Sequence, residues 1–65
     1  MIAVHGRVIG CQRIEREGGE VRRVTFRSLD GEVFDLPATP DAYETARRAF
    51  RDRTPLVLTL AEEGD

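Results

Sequence analysis

A chain of 65 residues is long enough for one small domain and too short for two, so residues 1–65 are treated as a single domain. With 40% hydrophobic and 34% charged residues, the composition is that of a folded soluble domain and excludes a disordered one. No apolar run approaches the roughly 20 residues of a membrane span, so no membrane partner is expected. The chain opens without a signal-peptide pattern and has a single cysteine, Cys11, so we expect a cytoplasmic protein without an internal disulfide.

The net charge of −2 is unevenly distributed along the chain. Residues 1–27 carry six arginines and three glutamates, whereas residues 28–65 carry four arginines and nine acidic residues. Every cation is an arginine, and arginine side chains suit phosphate and carboxylate partners. The first half of the chain therefore holds the candidate surface for an anionic partner.

Residues 2–16 predict one long, strongly bent strand, because the apolar residues change phase part-way along it. Two sets fall in opposite phases: Ile2, Val4 and Val8, and then Ile9 and Cys11. A regular strand points alternate side chains to opposite faces, so a bend or bulge near Gly6 or Gly10 is needed to turn both sets inward.

After this strand the sequence predicts two β-hairpins. Gly18-Gly19 is expected to form a two-residue loop, which places Cys11 opposite Phe26. The next loop is expected to comprise residues 29–31, with Gly31 at positive φ. This choice pairs Phe26 with Phe34, and likewise Val24 with Leu36, on one face of the sheet. Each buried side chain of this kind is worth about 1.5–3 kcal/mol, which exceeds any preference between turn types.

A helix is predicted over residues 40–52, because Thr39 suits the N-cap and Pro40 the first helical position. The predicted apolar stripe of this helix comprises Ala42, Tyr43, Ala46, Ala49 and Phe50. A final strand is predicted from Leu56, with Leu56, Leu58 and Leu60 on one face and Val57, Thr59 and Ala61 on the other.

The predicted order is a bent β-strand followed by β, β, α and β, which makes a mainly β protein with one helix. A coiled three-strand meander followed by a helix and a closing strand is typical of a small, partly open β-barrel. The OB-fold is the nearest common architecture, and an SH3-like barrel is the alternative.

Catalytic patterns are absent from the sequence, so no enzyme activity, cofactor or metal site is expected. His5 is the single histidine, and no spacing of cysteines or histidines typical of zinc sites occurs. Cys11 is expected to be a small core residue, and Ser28 has no evident general base.

The predicted registers divide the sheet into two faces. The core face is expected to hold Ile9, Cys11, Val24, Phe26, Phe34 and Leu36. The opposite face also includes Val33 and Asp35, and its candidate binding residues are Gln12, Ile14, Arg16, Val21, Arg23, Thr25 and Arg27. On that face arginines alternate with aliphatic side chains, which is unusual for a purely solvated surface.

Three interpretations of this face remain open. The arginine stems simply cover the aliphatic side chains, or the face binds a protein partner, with a homodimer as one form. In the third interpretation it binds single-stranded nucleic acid, DNA or RNA, through arginine contacts to phosphates and bases. We take nucleic-acid binding as the leading hypothesis, because the basic part of the chain is contiguous and coincides with this face, and protein–protein interaction or regulation through the same face as the alternative.

Overall fold

The computed structural model describes residues 2–60, which form four antiparallel strands and one helix. The elements in chain order are β1 (Ile2–Arg16), β2 (Gly19–Ser28), β3 (Val33–Ala38), α1 (Pro40–Asp52) and β4 (Leu56–Leu60). The sheet order is β3-β2-β1-β4, and the sheet curls into a half-barrel with α1 packed mainly against β1. This confirms the predicted class of a mainly β, partly open small barrel and the predicted element order. Ala61, predicted in the last strand, lies outside the described residues.

β1 is the strand around which the sheet curls. Its first part, Ile2–Gly6, pairs with β4, and Gly6–Arg16 pairs with β2, so Gly6 has a partner on both sides. Gly6 is buried, and a Cβ added there would lie 2.1 Å from the backbone oxygen of Arg27. Only glycine permits this approach of two strands. A register shift between Val8 and Gly10 confirms the predicted bulge in a bent strand.

The bulge corrects one predicted core residue, Ile9. Val8 and Cys11, on either side of the bulge, both face the core, and Ile9 is the extra residue between them. Its side chain is 45% exposed, so the prediction that Ile9 is buried was wrong. The phase change that the sequence shows is absorbed by turning this one residue outward.

The hairpin between β1 and β2 has a different register from the predicted one. Arg16 pairs with Gly19, so the loop comprises residues 17–18, and Cys11 lies opposite Val24 rather than Phe26. The prediction placed both glycines in the loop because both were assumed to need positive φ. In the structure Gly19 has positive φ (127°) at the first position of β2. The shift is an even number of residues, so each side chain stays on its predicted face.

The hairpin between β2 and β3 has the predicted register. Phe26 pairs with Phe34, and Val24 pairs with Leu36. The amide of Ser28 donates to the Glu32 carbonyl oxygen at 2.8 Å, which closes a three-residue loop. Gly31 has a φ of 92° at the end of that loop, as predicted.

α1 begins and ends as the sequence predicts. The Thr39 hydroxyl accepts a hydrogen bond from the Ala42 amide at 3.2 Å, which caps the first turn. Three residues of the predicted apolar stripe are buried: Tyr43, Ala46 and Ala49. The other two residues of the stripe, Ala42 and Phe50, are exposed.

The core is small and opens on one side. Its buried hydrophobic residues are Val8, Val24, Phe26, Tyr43, Ala46 and Ala49. Between β3, the start of α1 and β4 lies an open groove of about 790 Å³ whose floor includes Phe26 and the half-buried Leu36 and Leu58. The barrel is therefore closed around β1 and β2 and open between β3 and β4.

Candidate nucleic-acid interface

The predicted binding residues do lie together on the sheet face opposite α1, which we call the outer face. Three cross-strand pairs bring most of them side by side: Gln12 with Arg23, Ile14 with Val21, and Gly10 with Thr25. The remaining two are Arg16, next to the hairpin loop, and Arg27, near the other end of β2. The structure therefore assembles the predicted set on one surface that extends along β2.

Arg23 contacts its neighbour on β3. Its Nε donates to Asp35 Oδ1 at 3.1 Å, and its Nη2 donates to the Asp35 carbonyl oxygen at 3.0 Å. Two hydrogen bonds orient the guanidinium group, and the exposed ion pair offsets part of its charge. Arg23 therefore lies in the centre of the outer face, in an ion pair with Asp35.

Arg16 and Arg27 are the exposed cations of this face. Within the part of the chain that the structure describes, neither has an acidic side chain in ion-pair contact. Arg27 lies directly opposite Arg7 on β1 and opposite Val33 on β3. Two arginines at facing positions repel each other unless an anion or another acceptor lies between them. The two facing arginines therefore favour the binding of an anion at the Arg27 end of the outer face.

Aliphatic side chains occupy the rest of the outer face. Val33 on β3 is 59% exposed and Val57 on β4 is 53% exposed, whereas Ile14 is half-buried opposite Val21. The arginine stems therefore cover only part of the aliphatic surface. These side chains offer apolar contact to bases or to a protein.

A second candidate surface, which the sequence did not reveal, lies where the helix ends beside the bulge of β1. It is a cleft of about 500 Å³, which we call the edge cleft. Its lining residues are Arg7, Val8, Ile9, Ala49, Phe50, Arg51, Arg53 and Thr54. The lining contains three arginines and no acidic residue. The available signal was the run of residues 47–53, RRAFRDR, in which one aromatic residue is surrounded by arginines.

In the part of the chain that the structure describes, the pKa shifts of Cys11 and Asp30 have local causes. Burial raises the pKa of the Cys11 thiol, and the positive charge of Arg47 only partly opposes this effect, so a smaller fraction of the thiol is ionised at neutral pH. The Ser28 hydroxyl donates to the Asp30 carboxylate, which lowers the pKa of that carboxyl. In residues 2–60 no cluster of three or more histidine, cysteine, aspartate or glutamate side chains is arranged to hold a metal ion.

Comparisons with protein families, with curated proteins and with solved structures give no match. The helix that the structure describes, α1, is neither long nor apolar enough to cross a membrane. Evidence for the role of the outer face and of the edge cleft therefore comes from the charge, exposure and contacts of their residues.

Proposed function

We propose that this protein is a non-enzymatic binding module and that its outer face binds single-stranded nucleic acid, DNA or RNA. The observation that carries the proposal is the exposure of Arg16 and Arg27 at the two ends of that face, in a protein whose net charge is −2. A protein of net negative charge attracts a polyanion only where its cations are segregated from its acids.

The dimensions of the outer face support a strand that lies along β2. From Gly19, the partner of Arg16, to Arg27 the chain rises about 26 Å, at roughly 3.3 Å per residue. That length suits the site sizes of about 4–16 nucleotides found for OB-type barrels. Between the two arginines, Gln12 and Thr25 offer amide and hydroxyl groups to the sugar and phosphate oxygens.

The test measures fluorescence anisotropy of labelled oligo-dT and oligo-U over a series of salt concentrations. We expect binding that weakens with salt, and for Arg16→Gln and Arg27→Gln a lower affinity with a salt slope flatter by about 0.7 each. Arg48→Gln is the matched control, because Arg48 is an exposed arginine on α1 outside both candidate surfaces. Absence of binding at low salt, or an equal loss in the control, contradicts the proposal.

Protein binding through the same face is the second candidate, and the exposed valines favour it. Val21, Val33 and Val57 present exposed apolar side chains on the same face as the arginines, as anchors of an interface do. In the homodimeric form of this candidate, Val21→Glu converts the dimer to a folded monomer in analytical ultracentrifugation. A wild-type protein that sediments as a monomer at millimolar concentration rules out the homodimer.

A further inference from the structure

The edge cleft continues the basic surface of the outer face around the edge of the sheet. β1 pairs with β4 only as far as Gly6, so from Arg7 onward that side of β1 has no neighbouring strand in the described sheet. The chain segment between α1 and β4 passes this edge, and Arg7 Nη1 donates to the Arg53 carbonyl oxygen at 2.8 Å. Because Arg27 is the cross-strand partner of Arg7, the cations follow one another from the outer face to the end of α1.

The chemistry of the edge cleft combines cations with an exposed aromatic ring. Phe50 is 46% exposed, and with Ile9 it provides apolar surface in a lining that otherwise includes three arginines. A single cation near the last turn is explained by the partial negative charge of the helix C-terminus. The partial charge of the helix C-terminus does not account for three arginines beside two exposed apolar side chains. Aromatic rings beside cations are the combination that binds the bases and phosphates of single strands.

Among the described residues, one acidic side chain contacts an arginine of the cleft. Asp52 Oδ1 lies 3.5 Å from Arg51 Nε, and both side chains are exposed, so solvent screens this ion pair and an anion can compete for Arg51. Arg7 is engaged by a backbone carbonyl group rather than by a carboxylate, so it keeps its full charge. The cleft therefore remains a positively charged site with an apolar wall, and its complement is a planar apolar group that carries negative charge.

We propose, on the basis of the proposed function, that the nucleic-acid strand turns over the edge of β1 after Arg27 and inserts one base into the edge cleft. The base stacks on Phe50, and the adjoining phosphate is bound by Arg51 and Arg53. The outer face then supplies the electrostatic part of the affinity, and the edge cleft supplies the part that depends on a base. The aromatic contact, which the outer face lacks, is thereby provided by the helix.

The experiment compares oligo-dT with a chain of abasic nucleotides of the same length, using wild-type protein and Phe50→Leu. Leucine keeps an apolar side chain and removes the ring, and Phe50 is exposed enough for the variant to fold, which a thermal melt checks. We expect Phe50→Leu to weaken oligo-dT binding by roughly 5- to 150-fold, the range for loss of one stacked base, and to leave binding of the abasic chain unchanged. Quenching of a 2-aminopurine base by wild-type protein, lost in Phe50→Leu, reports the stacking directly.

Failure of this inference is distinguishable from failure of the proposed function. If Arg27→Gln weakens binding but Phe50→Leu does not, and wild-type protein binds the abasic chain as tightly as oligo-dT, the outer face binds and the edge cleft does not. If neither oligonucleotide binds at low salt, both proposals are wrong. Arg51→Gln adds a second readout, since it is expected to weaken binding of both chains and to flatten the salt slope.

Discussion

The two parts of β1 on either side of its bulge differ in their strand partners and in the exposure of their side chains. Up to Val8, a region that we call the crossing end, the strand changes its partner: Ile2–Gly6 pair with β4, pairing with β2 begins at Gly6, and Gly6 lies against the backbone of β2. From Gly10 to Arg16 it pairs only with β2 in the described sheet and forms a hairpin arm with it, which β3 accompanies only from Arg22 onward and whose side chains in β1 are mostly exposed. Stability is therefore concentrated at the crossing end, and the hairpin arm can carry charged and polar side chains for a partner.

The largest loss of stability is expected when the most buried side chain is removed. Phe26 is 1% exposed and pairs with Val8 at the crossing end. Phe26→Ala is expected to cost about 3–5 kcal/mol, which in a domain of this size means loss of the native state. In the hairpin arm, Val21→Ala is expected to cost less than about 1 kcal/mol. Urea unfolding followed by circular dichroism measures both, and comparable losses would contradict the comparison.

Two glycines of β1 provide a matched pair for a second test. Gly6→Ala places a Cβ against a backbone oxygen and is expected to cost about 1–3 kcal/mol or more, because strands must move apart. Gly10→Ala brings its Cβ 3.7 Å from that of Thr25, an ordinary contact, so stability should stay within about 1 kcal/mol of wild type. Thermal melts of the two variants measure this difference in stability. A Gly6→Ala variant as stable as wild type would show that β1 and β2 lie farther apart at Gly6 than the structure has them.

A third test concerns the loop that covers the crossing end, where the Leu29 amide donates to the His5 carbonyl oxygen at 3.0 Å. Hydrogen bonds from Ser28 and then from the backbone of Glu32 lower the pKa of Asp30 in the folded state. This stabilisation is complete above the unfolded pKa, near 3.8, and is lost as the pH falls through the lower folded value. Asp30→Asn should therefore unfold with a weaker dependence on pH below 4, and an unchanged acid profile would exclude this role of Asp30.

The smallest expected effect belongs to Cys11, the residue of the hairpin arm that contacts the core. Its half-buried position raises the pKa of the thiol, so less thiolate is present at neutral pH than in the unfolded chain. Alkylation by iodoacetamide at pH 7.5 should be several-fold slower in the native protein than in urea. Equal rates would place Cys11 in solvent and extend the exposed part of the arm further toward the bulge.

The comparison also shows which parts of the fold the sequence could determine. In the hairpin of β2 and β3, two candidate registers differed by one residue, and only one of them put Phe26 and Phe34 on the same face. In the other hairpin, the predicted and observed registers differ by two residues and expose the same faces, so hydrophobic pattern could not distinguish them. Turn geometry alone decides there, and it depends on which glycine takes positive φ.

The candidate site was predictable to a similar degree. The outer face followed from strand alternation, and the contact between Arg23 and Asp35 could have been expected, because they are diagonal neighbours in the predicted register. The exposure of Phe50 and Ile9 was not predicted, because the sequence places Phe50 on the apolar stripe of the helix and leaves open which residue the bulge turns outward.

Pro37 gives the open side of the barrel a consequence for self-association. The amide of Ser28 bonds to Glu32, so alternate pairs of β2 and β3 are the hydrogen-bonded type, and Arg23–Pro37 belongs to the other type. The nitrogen of Pro37 therefore points away from the sheet, along the outer edge of β3, and it carries no hydrogen. A strand that paired with this edge of β3 would lack one backbone hydrogen bond, at Pro37. Pro37 therefore disfavours the addition of a strand from another copy at the edge of β3.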